Sequence, residues 1–251
     1  MEDLKGKVAL VSGGARGLGF EIALTLAEAG CTVCVCSRRI EVEGRAVQVL
    51  KETGQEVYAE PCDVTQKDQI EHFIQNILNK YERIDILVNN SGATWGASVE
   101  DMPEEAWDKV MNVNVKGPFL LSQRVGKVMK EQGYGKIINV ASVAGLKAEP
   151  PEVLDAIGYS TSKAAVIHFT KDLARKWASH NIYVNAIAPG FFKSDMTKGI
   201  LEEKEEQIKK GIPLQRIGEP PLLRGPILFL ASSASDFVTG HTLPVDGGAH
   251  L

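Results

Sequence analysis

The chain has 251 residues, a length that a single α/β domain can reach without disulfides or metal sites to hold it. Its 44% hydrophobic and 24% charged residues exclude a disordered protein, and a net charge of −4 with scattered lysines and arginines argues against a nucleic-acid partner. No apolar run is long enough to span a bilayer, and the first residues do not resemble a signal peptide. We therefore expect one cytoplasmic domain with neither a nucleic-acid nor a membrane partner.

Short apolar runs rich in β-branched residues alternate with segments of helical periodicity along the whole chain. The predicted strands lie at 7–12, 32–36, 56–59, 84–88, 136–141, 182–187 and 242–245. The predicted helices lie at 17–29, 41–53, 66–80, 104–132, 159–179 and 222–231. Strands separated by helix-length segments predict a doubly wound α/β domain, with a mostly parallel seven-stranded sheet flanked by helices.

Two segments interrupt this alternation. Residues 147–158 include Pro150 and Pro151, which exclude a regular helix or strand across this segment. Residues 190–218 form a long, charged segment with Pro and Gly residues at both ends. We expect the second segment to be a substrate-binding insertion, and the alternative is a solvated surface excursion.

The cysteines do not have the spacing of a metal site. Cys34 and Cys36 share one face of a predicted strand, whereas Cys31 and Cys34 point in opposite directions. No second pair with ligand spacing exists, and the histidines are scattered along the chain. We expect buried thiols in a reducing compartment and no bound metal.

A glycine-rich turn follows the first predicted strand and precedes the first predicted helix. It contains Gly13, Gly17 and Gly19, with Arg16 and Leu18 between them. Glycine permits the tight turn and the close approach of the backbone to a pyrophosphate, which the N–H groups of the helix N-terminus then bind. In this first strand–turn–helix unit, the pattern predicts a Rossmann fold that binds a dinucleotide.

The end of the second predicted strand indicates which dinucleotide binds. Folds that bind NAD(H) usually place an acidic residue there, which accepts bonds from ribose hydroxyls, whereas this chain has Ser37, Arg38 and Arg39. A guanidinium pairs well with a 2′-phosphate, and Arg16 would add a second positive charge. We expect NADP(H) rather than NAD(H); the alternative is that Arg38 and Arg39 only begin an exposed helix.

Ser142, Tyr159 and Lys163 form the second candidate site. Ser142 follows a predicted strand, at the edge where open α/β sheets bind their ligands. Tyr159 and Lys163 are four residues apart and share one face of a helix. We expect the lysine ammonium to lower the pKa of the phenol, so that Tyr159 exchanges a proton with a substrate oxygen that Ser142 also binds. Such a Tyr–Lys pair is common by itself, and its weight comes from its combination with Ser142 and the glycine turn.

With the glycine turn, further motifs resemble the short-chain dehydrogenase/reductase family over essentially the whole chain. They are Cys62-Asp63-Val64, Asn89-Asn90-Ser91-Gly92, Asn114, Ser142, Tyr159-Ser160-Thr161-Ser162-Lys163 and Asn185-Ala186-Ile187-Ala188-Pro189-Gly190. The resemblance implies hydride transfer between a nicotinamide ring and a ketone or secondary alcohol. It also implies a homodimer or homotetramer, in which the helices at 104–132 and 159–179 pack against their mates.

The resemblance also implies a role for each matching residue. Asp63 would bond the adenine, Lys163 would also bind the nicotinamide ribose, and Asn114 would shape its helix and hold a water of the proton relay. Further residues would line the cofactor cleft: Val64, Asn89, Asn90, Pro189 and Gly190. This chain departs from the family pattern at Ser12, where Thr is usual, and at Ser91, where Ala is usual. Both changes are small, and we expect the fold to tolerate them.

Two substrate classes compete within this reaction class. The main expectation is a sugar acid, a polyol or a related small carbonyl compound, because the run of motifs resembles gluconate 5-dehydrogenase. The alternative is a 3-oxoacyl-[acyl-carrier-protein] reductase, but Gly133 and His180 stand where such members place two arginines for the acidic carrier. A non-catalytic dinucleotide-binding regulator is a further interpretation, and its mark would be the loss of Ser142, Tyr159 or Lys163.

Overall fold

The computed structural model describes residues 2–38 and 44–251. Its strands are β1 (Val8–Ser12), β2 (Thr32–Ser37), β3 (Val57–Pro61), β4 (Ile86–Asn89), β5 (Gly135–Val140), β6 (Ile182–Pro189) and β7 (Thr242–Val245). These seven strands form one sheet in the order β3-β2-β1-β4-β5-β6-β7, and every neighbouring pair is parallel. The predicted single α/β domain with a doubly wound sheet is confirmed, and the sheet is parallel throughout.

The helices connect successive strands and cover both faces of the sheet. They are α1 (Gly17–Glu28), α2 (Arg45–Glu52), α3 (Lys67–Tyr81), α4 (Glu104–Met111), α5 (Gly117–Gln132), α6 (Ile157–Trp177), α7 (Lys198–Lys210) and α8 (Arg224–Ala231). The strand order reverses between β1 and β4, which creates the crevice where such sheets bind ligands. None of the helices in the described ranges is both long and apolar enough to cross a bilayer.

Alternating residues of each strand supply two cores, one on each face of the sheet. Along β1, Val11 packs into the cluster that contains Ile22 of α1, whereas Leu10 packs into the cluster that contains Phe73 of α3. Both strand residues are fully buried, which explains why β1 is a continuous apolar run. The four cysteines are buried, free thiols within or beside these cores.

The long predicted helix at 104–132 is interrupted. Five residues, Asn112–Lys116, form a π-helical turn between α4 and α5. Such turns are frequent at functional sites because they displace one side chain from the regular helical pattern. Here the displaced segment carries Asn114, which is 1% exposed. The predicted helix at 159–179 begins earlier, at Ile157, and the predicted helix at 41–53 corresponds to α2, although residues 41–43 lie outside the described part.

The two irregular segments lie against each other. Residues 147–156 contain no regular helix or strand, as their prolines predict, although Ala156 forms an isolated bridge with Ala97. The segment at 190–218 carries α7, in which Lys204 departs from helical geometry. The Lys204 ammonium donates to the backbone oxygen of Glu152 at 2.8 Å. Helix α7 is therefore held over the segment that precedes α6.

Candidate functional site

The candidate site lies at the carboxyl ends of β1, β4, β5 and β6, beside the point where the strand order reverses. The loops after these strands bring together the residues that the sequence singled out. A glycine turn follows β1, Ser142 follows β5, and Gly190 follows β6. Ligands of open parallel sheets bind at this edge, so the position agrees with the sequence prediction.

Steric limits explain each glycine of the turn after β1. Gly13 has a φ of 67° and Gly17 a φ of 53°, in the left-handed region that favours glycine. A Cβ on Gly19 would lie 2.2 Å from both the Gly13 backbone oxygen and the Asn90 Nδ2 atom, so no side chain fits there. Arg16 precedes α1 in an extended conformation and makes no capping side-chain bond, so the first N–H groups of this helix have no side-chain cap. This cradle fits a pyrophosphate.

Hydrogen bonds join the glycine turn to the loop after β4. The Ser12 hydroxyl accepts from the backbone N–H groups of Asn90 at 3.0 Å and Ser91 at 3.1 Å. In return, the Asn90 amide donates to the backbone oxygens of Ser12 and Gly13 at 3.0 and 3.2 Å. Serine in place of the usual threonine therefore still bonds both loops, which gives the expected tolerance a physical basis.

Exposed arginines follow the first two strands. Arg16 lies in the glycine turn after β1 and Arg38 directly follows β2, where Ser37 is half-buried. Arg39 lies outside the described residues. At the end of β3, the Asp63 carboxylate accepts from the Thr65 backbone N–H at 2.9 Å, and Val64 is buried beside it.

Ser142, Tyr159 and Lys163 meet behind the mouth of one pocket. Ser142 and Tyr159 both line it, and the Ser142 hydroxyl accepts from the Ala144 backbone N–H at 3.2 Å. The Lys163 Nζ atom lies 5.6 Å from the centroid of the Tyr159 ring and donates to the Val140 backbone oxygen at 2.7 Å. The face of α6 that carries Tyr159 and Lys163 thus lies against Ser142, just after β5, as predicted.

Asn114 joins the π-helical turn to both sides of this site. Its side chain accepts from the Ala93 N–H at 2.7 Å and donates to the Ala93 oxygen at 2.9 Å. It also donates to the Ser162 hydroxyl at 2.8 Å, and Ser162 in turn donates to the backbone oxygen of Tyr159. A Cβ on Gly92 would lie 3.7 Å from the Asn114 Oδ1 atom and 3.9 Å from the Lys163 Nζ atom, so the lysine also lies near this loop.

The pocket in front of Tyr159 is bounded by the two irregular segments. Apolar side chains form most of its outer wall: Leu154, Phe191, Met196 and Ile200. Thr94, Glu149 and Thr197 add polar groups to the lining. Among residues 2–38 and 44–251, no group of three or more His, Cys, Asp or Glu residues could hold a metal ion.

Comparisons with known proteins agree with this geometry. A family model described as enoyl-(acyl carrier protein) reductase matches residues 13–250. The chain is 41% identical to the 3-oxoacyl-[acyl-carrier-protein] reductase FabG of Thermotoga maritima and 39% identical to that of Chlamydia trachomatis, and each alignment covers 98% of both proteins. A gluconate 5-dehydrogenase from Burkholderia cenocepacia, solved with NADP and tartrate, superposes with a TM-score of 0.93 at 34% identity, over 99% of this chain and 96% of that one.

The chain belongs to the short-chain dehydrogenase/reductase family. It is therefore an oxidoreductase that uses a nicotinamide dinucleotide, and the predicted reaction class is confirmed. The non-catalytic interpretation has no support, because Ser142, Tyr159 and Lys163 are all present and meet in space. Between the two substrate classes, the full-length similarity to 3-oxoacyl reductases supports the alternative better than the sugar-acid expectation.

Two expectations for this dehydrogenase site need correction. Burial raises the pKa of Tyr159 and the nearby Ser142 hydroxyl only partly opposes this, whereas we expected the lysine to lower it. The Lys163 ammonium, 5.6 Å from the centroid of the Tyr159 ring, does not offset this desolvation, and desolvation also lowers the pKa of Lys163, to about 8. Asn89 was expected to line the cofactor cleft, but it is 3% exposed and donates to Ser122 and Asn139 inside the fold.

Three features of this site escaped the sequence. The π-helical turn around Asn114 has no pattern that distinguishes it from a regular helix. Ser162, which connects Asn114 to the tyrosine helix, stood within the Tyr159–Lys163 motif, but its spacing gave it no separate role. Glu149 enters the pocket from an irregular segment, where periodicity predicts nothing about side-chain direction.

Proposed function

We propose that this protein is an NADPH-dependent reductase that converts a 3-oxoacyl thioester to its 3-hydroxyacyl form. One observation carries the proposal: the hydroxyl-bearing residues Ser142 and Tyr159 share one wall of a mainly apolar pocket, with Lys163 directly behind them. An apolar wall suits an acyl chain, whereas the many hydroxyls of a sugar acid would need polar partners there. The full-length relatives described above point to the same substrate class.

Each residue of the triad has a distinct proposed role. The reduced nicotinamide supplies the hydride that the carbonyl carbon receives. Tyr159 donates its proton to the carbonyl oxygen as charge develops there, and Ser142 bonds the same oxygen. A raised pKa suits this direction, because it keeps Tyr159 protonated and ready to donate. Lys163 stabilises the phenolate that remains, since an ammonium near the ring favours its charged form.

Asn114 acts as a positioning residue in this proposal. Its bonds to Ala93 and Ser162 hold the loop after β4 at a fixed distance from α6. Loss of these bonds would let Lys163 and Tyr159 shift relative to the nicotinamide, and small displacements of reacting groups lower rates strongly. The expected relay water at Asn114 and the expected ribose contact of Lys163 stay predictions.

The preference for NADP(H) is part of the proposal. Arg38, directly after β2, and Arg16, in the glycine turn after β1, offer exposed guanidinium groups for a ribose 2′-phosphate. The other proposed cofactor contacts come from the glycine turn and from the strand ends, namely Gly13, Gly17, Leu18, Gly19, Ser37, Asp63, Val64, Asn90, Pro189 and Gly190. We propose 190–218 as the substrate-binding segment, because five of its residues line the pocket.

Gly133 and His180 bear on the thioester carrier. Gly133 ends α5 and His180 follows α6, and both lie near the amino ends of β5 and β6 rather than beside the pocket of the same chain. They supply no arginine for an acidic carrier. The homodimer or homotetramer and the cytoplasmic location stay predictions.

A panel of carbonyl substrates tests the proposal. Purified protein with NADPH is given an acetoacetyl thioester on coenzyme A or on acyl-carrier protein, 5-ketogluconate, and a 2-enoyl thioester, and the loss of NADPH absorbance is followed. We expect both acetoacetyl thioesters to be reduced with a higher kcat/KM than 5-ketogluconate. Faster reduction of 5-ketogluconate, or of the enoyl thioester alone, would overturn the proposal.

A further inference from the structure

Glu149 is the one carboxylate among the described residues that line the substrate pocket. Its side chain is only 11% exposed, although its neighbours Ala148 and Pro150 are exposed. The irregular segment before α6 therefore turns this one acidic group inward. The lining that it joins includes Ser142 and Tyr159, so the carboxylate shares a pocket with the reacting groups.

Lys147 pairs with Glu149 from outside the pocket. Its Nζ atom lies 3.1 Å from Glu149 Oε1, and its side chain is 31% exposed. Lys147 does not line the pocket, so the positive charge stays nearer to solvent than the negative charge. A bound substrate thus meets the carboxylate, and the ammonium only partly offsets its charge.

The surroundings make this charge effective. Leu154, Phe191 and Met196 are apolar parts of the same lining, and a wall of this kind lowers the local dielectric, which strengthens interactions between charges. An ionised carboxylate accepts hydrogen bonds but cannot donate them. An anionic substrate group near Glu149 would be repelled without compensation, whereas a neutral group would not.

We propose that Glu149 sets the charge selectivity of this pocket, disfavouring carbonyl substrates that carry a carboxylate and favouring their neutral esters and thioesters. This rests on the proposed function and deepens it, because a 3-oxo acid loses its negative charge when it becomes a thioester. The same carboxylate works against a sugar acid, which is anionic. Built-in repulsion of the wrong substrate is a common means of specificity.

The test compares one ketone in its anionic and neutral forms. Acetoacetate and ethyl acetoacetate are reduced with NADPH by the wild type, Glu149→Gln and Lys147→Gln, and the ratio of kcat/KM values, anionic over neutral, is determined. We expect Glu149→Gln to raise this ratio at least about tenfold, mainly through KM for acetoacetate. Lys147→Gln should lower it, because the carboxylate then loses its partner. Glu152→Gln, a nearby exposed glutamate outside the pocket lining, is the matched control and should leave the ratio unchanged.

The outcomes separate this inference from the proposed function. An unchanged ratio in Glu149→Gln, or an equal rise in Glu152→Gln, would refute charge selection by Glu149. Failure to reduce any acetoacetyl thioester would refute the proposed function. In that case the ratio of kcat/KM values is measured with pyruvate and methyl pyruvate instead. An unchanged ratio in Glu149→Gln would again refute charge selection by Glu149.

Discussion

Two buried lysines lie at opposite ends of the same strand, β5. Lys136, near its amino end, is 1% exposed, and its Nζ atom lies 2.7 Å from the Asp236 carboxylate and 4.0 Å from the centroid of the Tyr183 ring. Lys163 on α6 is 5% exposed and donates to the backbone oxygen of Val140, the last residue of β5. One ammonium therefore has an opposite charge beside it, and the other has a carbonyl dipole.

This difference shows how the two edges of the sheet divide stability and chemistry. Desolvation lowers the pKa of both lysines, but Asp236 opposes the change at Lys136. At Lys163 desolvation alone lowers the pKa to about 8, so a negative charge formed nearby would favour its protonated form. At the amino edge Lys136 is paired with Asp236. At the carboxyl edge Lys163 bonds only a backbone carbonyl among the described residues, so its charge can stabilise a negative charge that forms during the reaction.

The sharpest test of this division is Tyr159→Phe. The change removes the proposed proton donor at the carboxyl edge, so kcat should fall about a thousandfold. The affinity for NADPH and the free energy of unfolding should change little, because the ring remains in place. Steady-state kinetics, cofactor titration and urea unfolding measure the three quantities. Full activity in this variant would mean that another group donates the proton.

Asp85→Ala, at the amino edge, should lower stability without changing turnover. The side chain of Asp85 is 2% exposed and accepts from the Val8 backbone N–H at 2.9 Å and from Arg83 at 2.8 Å. Its loss leaves the buried Val8 N–H without its acceptor and Arg83 without its partner, so the free energy of unfolding should fall by about 3 kcal/mol in urea titrations. Turnover per folded molecule should stay unchanged.

Asp172→Ala is the matched control for that prediction. Asp172 pairs with Lys176 on the exposed surface of α6, and the loss of such a pair should change stability by less than about 0.5 kcal/mol. If both alanine variants lost the same stability, burial at the amino edge would not explain the effect of Asp85.

The stability of the folded chain should also depend on pH through Lys163. Below about pH 8 this lysine is protonated in both the folded and the unfolded chain, so it adds no pH dependence. From about pH 8 to its ordinary pKa of 10.5, the unfolded chain holds a proton that the folded chain has lost, and the free energy of unfolding rises with pH. Against Lys163→Met, the wild type should gain up to about 3 kcal/mol across this window.

Urea unfolding of both proteins below and above this window measures the effect. Other ionisable groups act on both proteins alike, so the difference between the two curves isolates Lys163. A difference that does not change with pH would show that the pKa of Lys163 is ordinary in the folded chain.

The smallest expected effect concerns the cofactor. Arg38→Asp replaces a guanidinium at the end of β2 by a carboxylate, so the ratio of NADPH to NADH affinity should fall at least about tenfold. Titration of nicotinamide fluorescence with each cofactor measures both dissociation constants. Arg175→Asp, at the far end of α6, is the control and should leave the ratio unchanged. Equal affinities of the wild type for NADPH and NADH would remove the proposed role of Arg38.

The sheet and the order of its elements could be predicted because buried parallel strands are continuous apolar runs. For β1 the prediction, 7–12, differs from the structure by one residue, since every side chain of this strand is buried. The triad could be predicted because Tyr159 and Lys163 lie one helical turn apart. Both predictions rest on residues that are close together in the sequence.

The remainder depends on contacts between distant segments. The π-helical turn is held by bonds from Asn114 to Ala93 and Ser162, which lie 21 and 48 residues away in the chain. The raised pKa of Tyr159 follows from burial, which no spacing reveals. Glu149 faces the pocket because an irregular segment folds back against it, and no periodicity records that turn.

The π-helical turn also sets two helical faces independently. Each residue advances an α-helix by about 100°, so deleting one residue from Asn112–Lys116 would rotate α5 by that angle relative to α4. Helix α4 packs against α6, whereas α5 packs against α3 and the sheet. Deleting Asn112 alone would therefore change the orientation of the α5 core face relative to α4 and α6, even though every apolar residue would remain in the sequence.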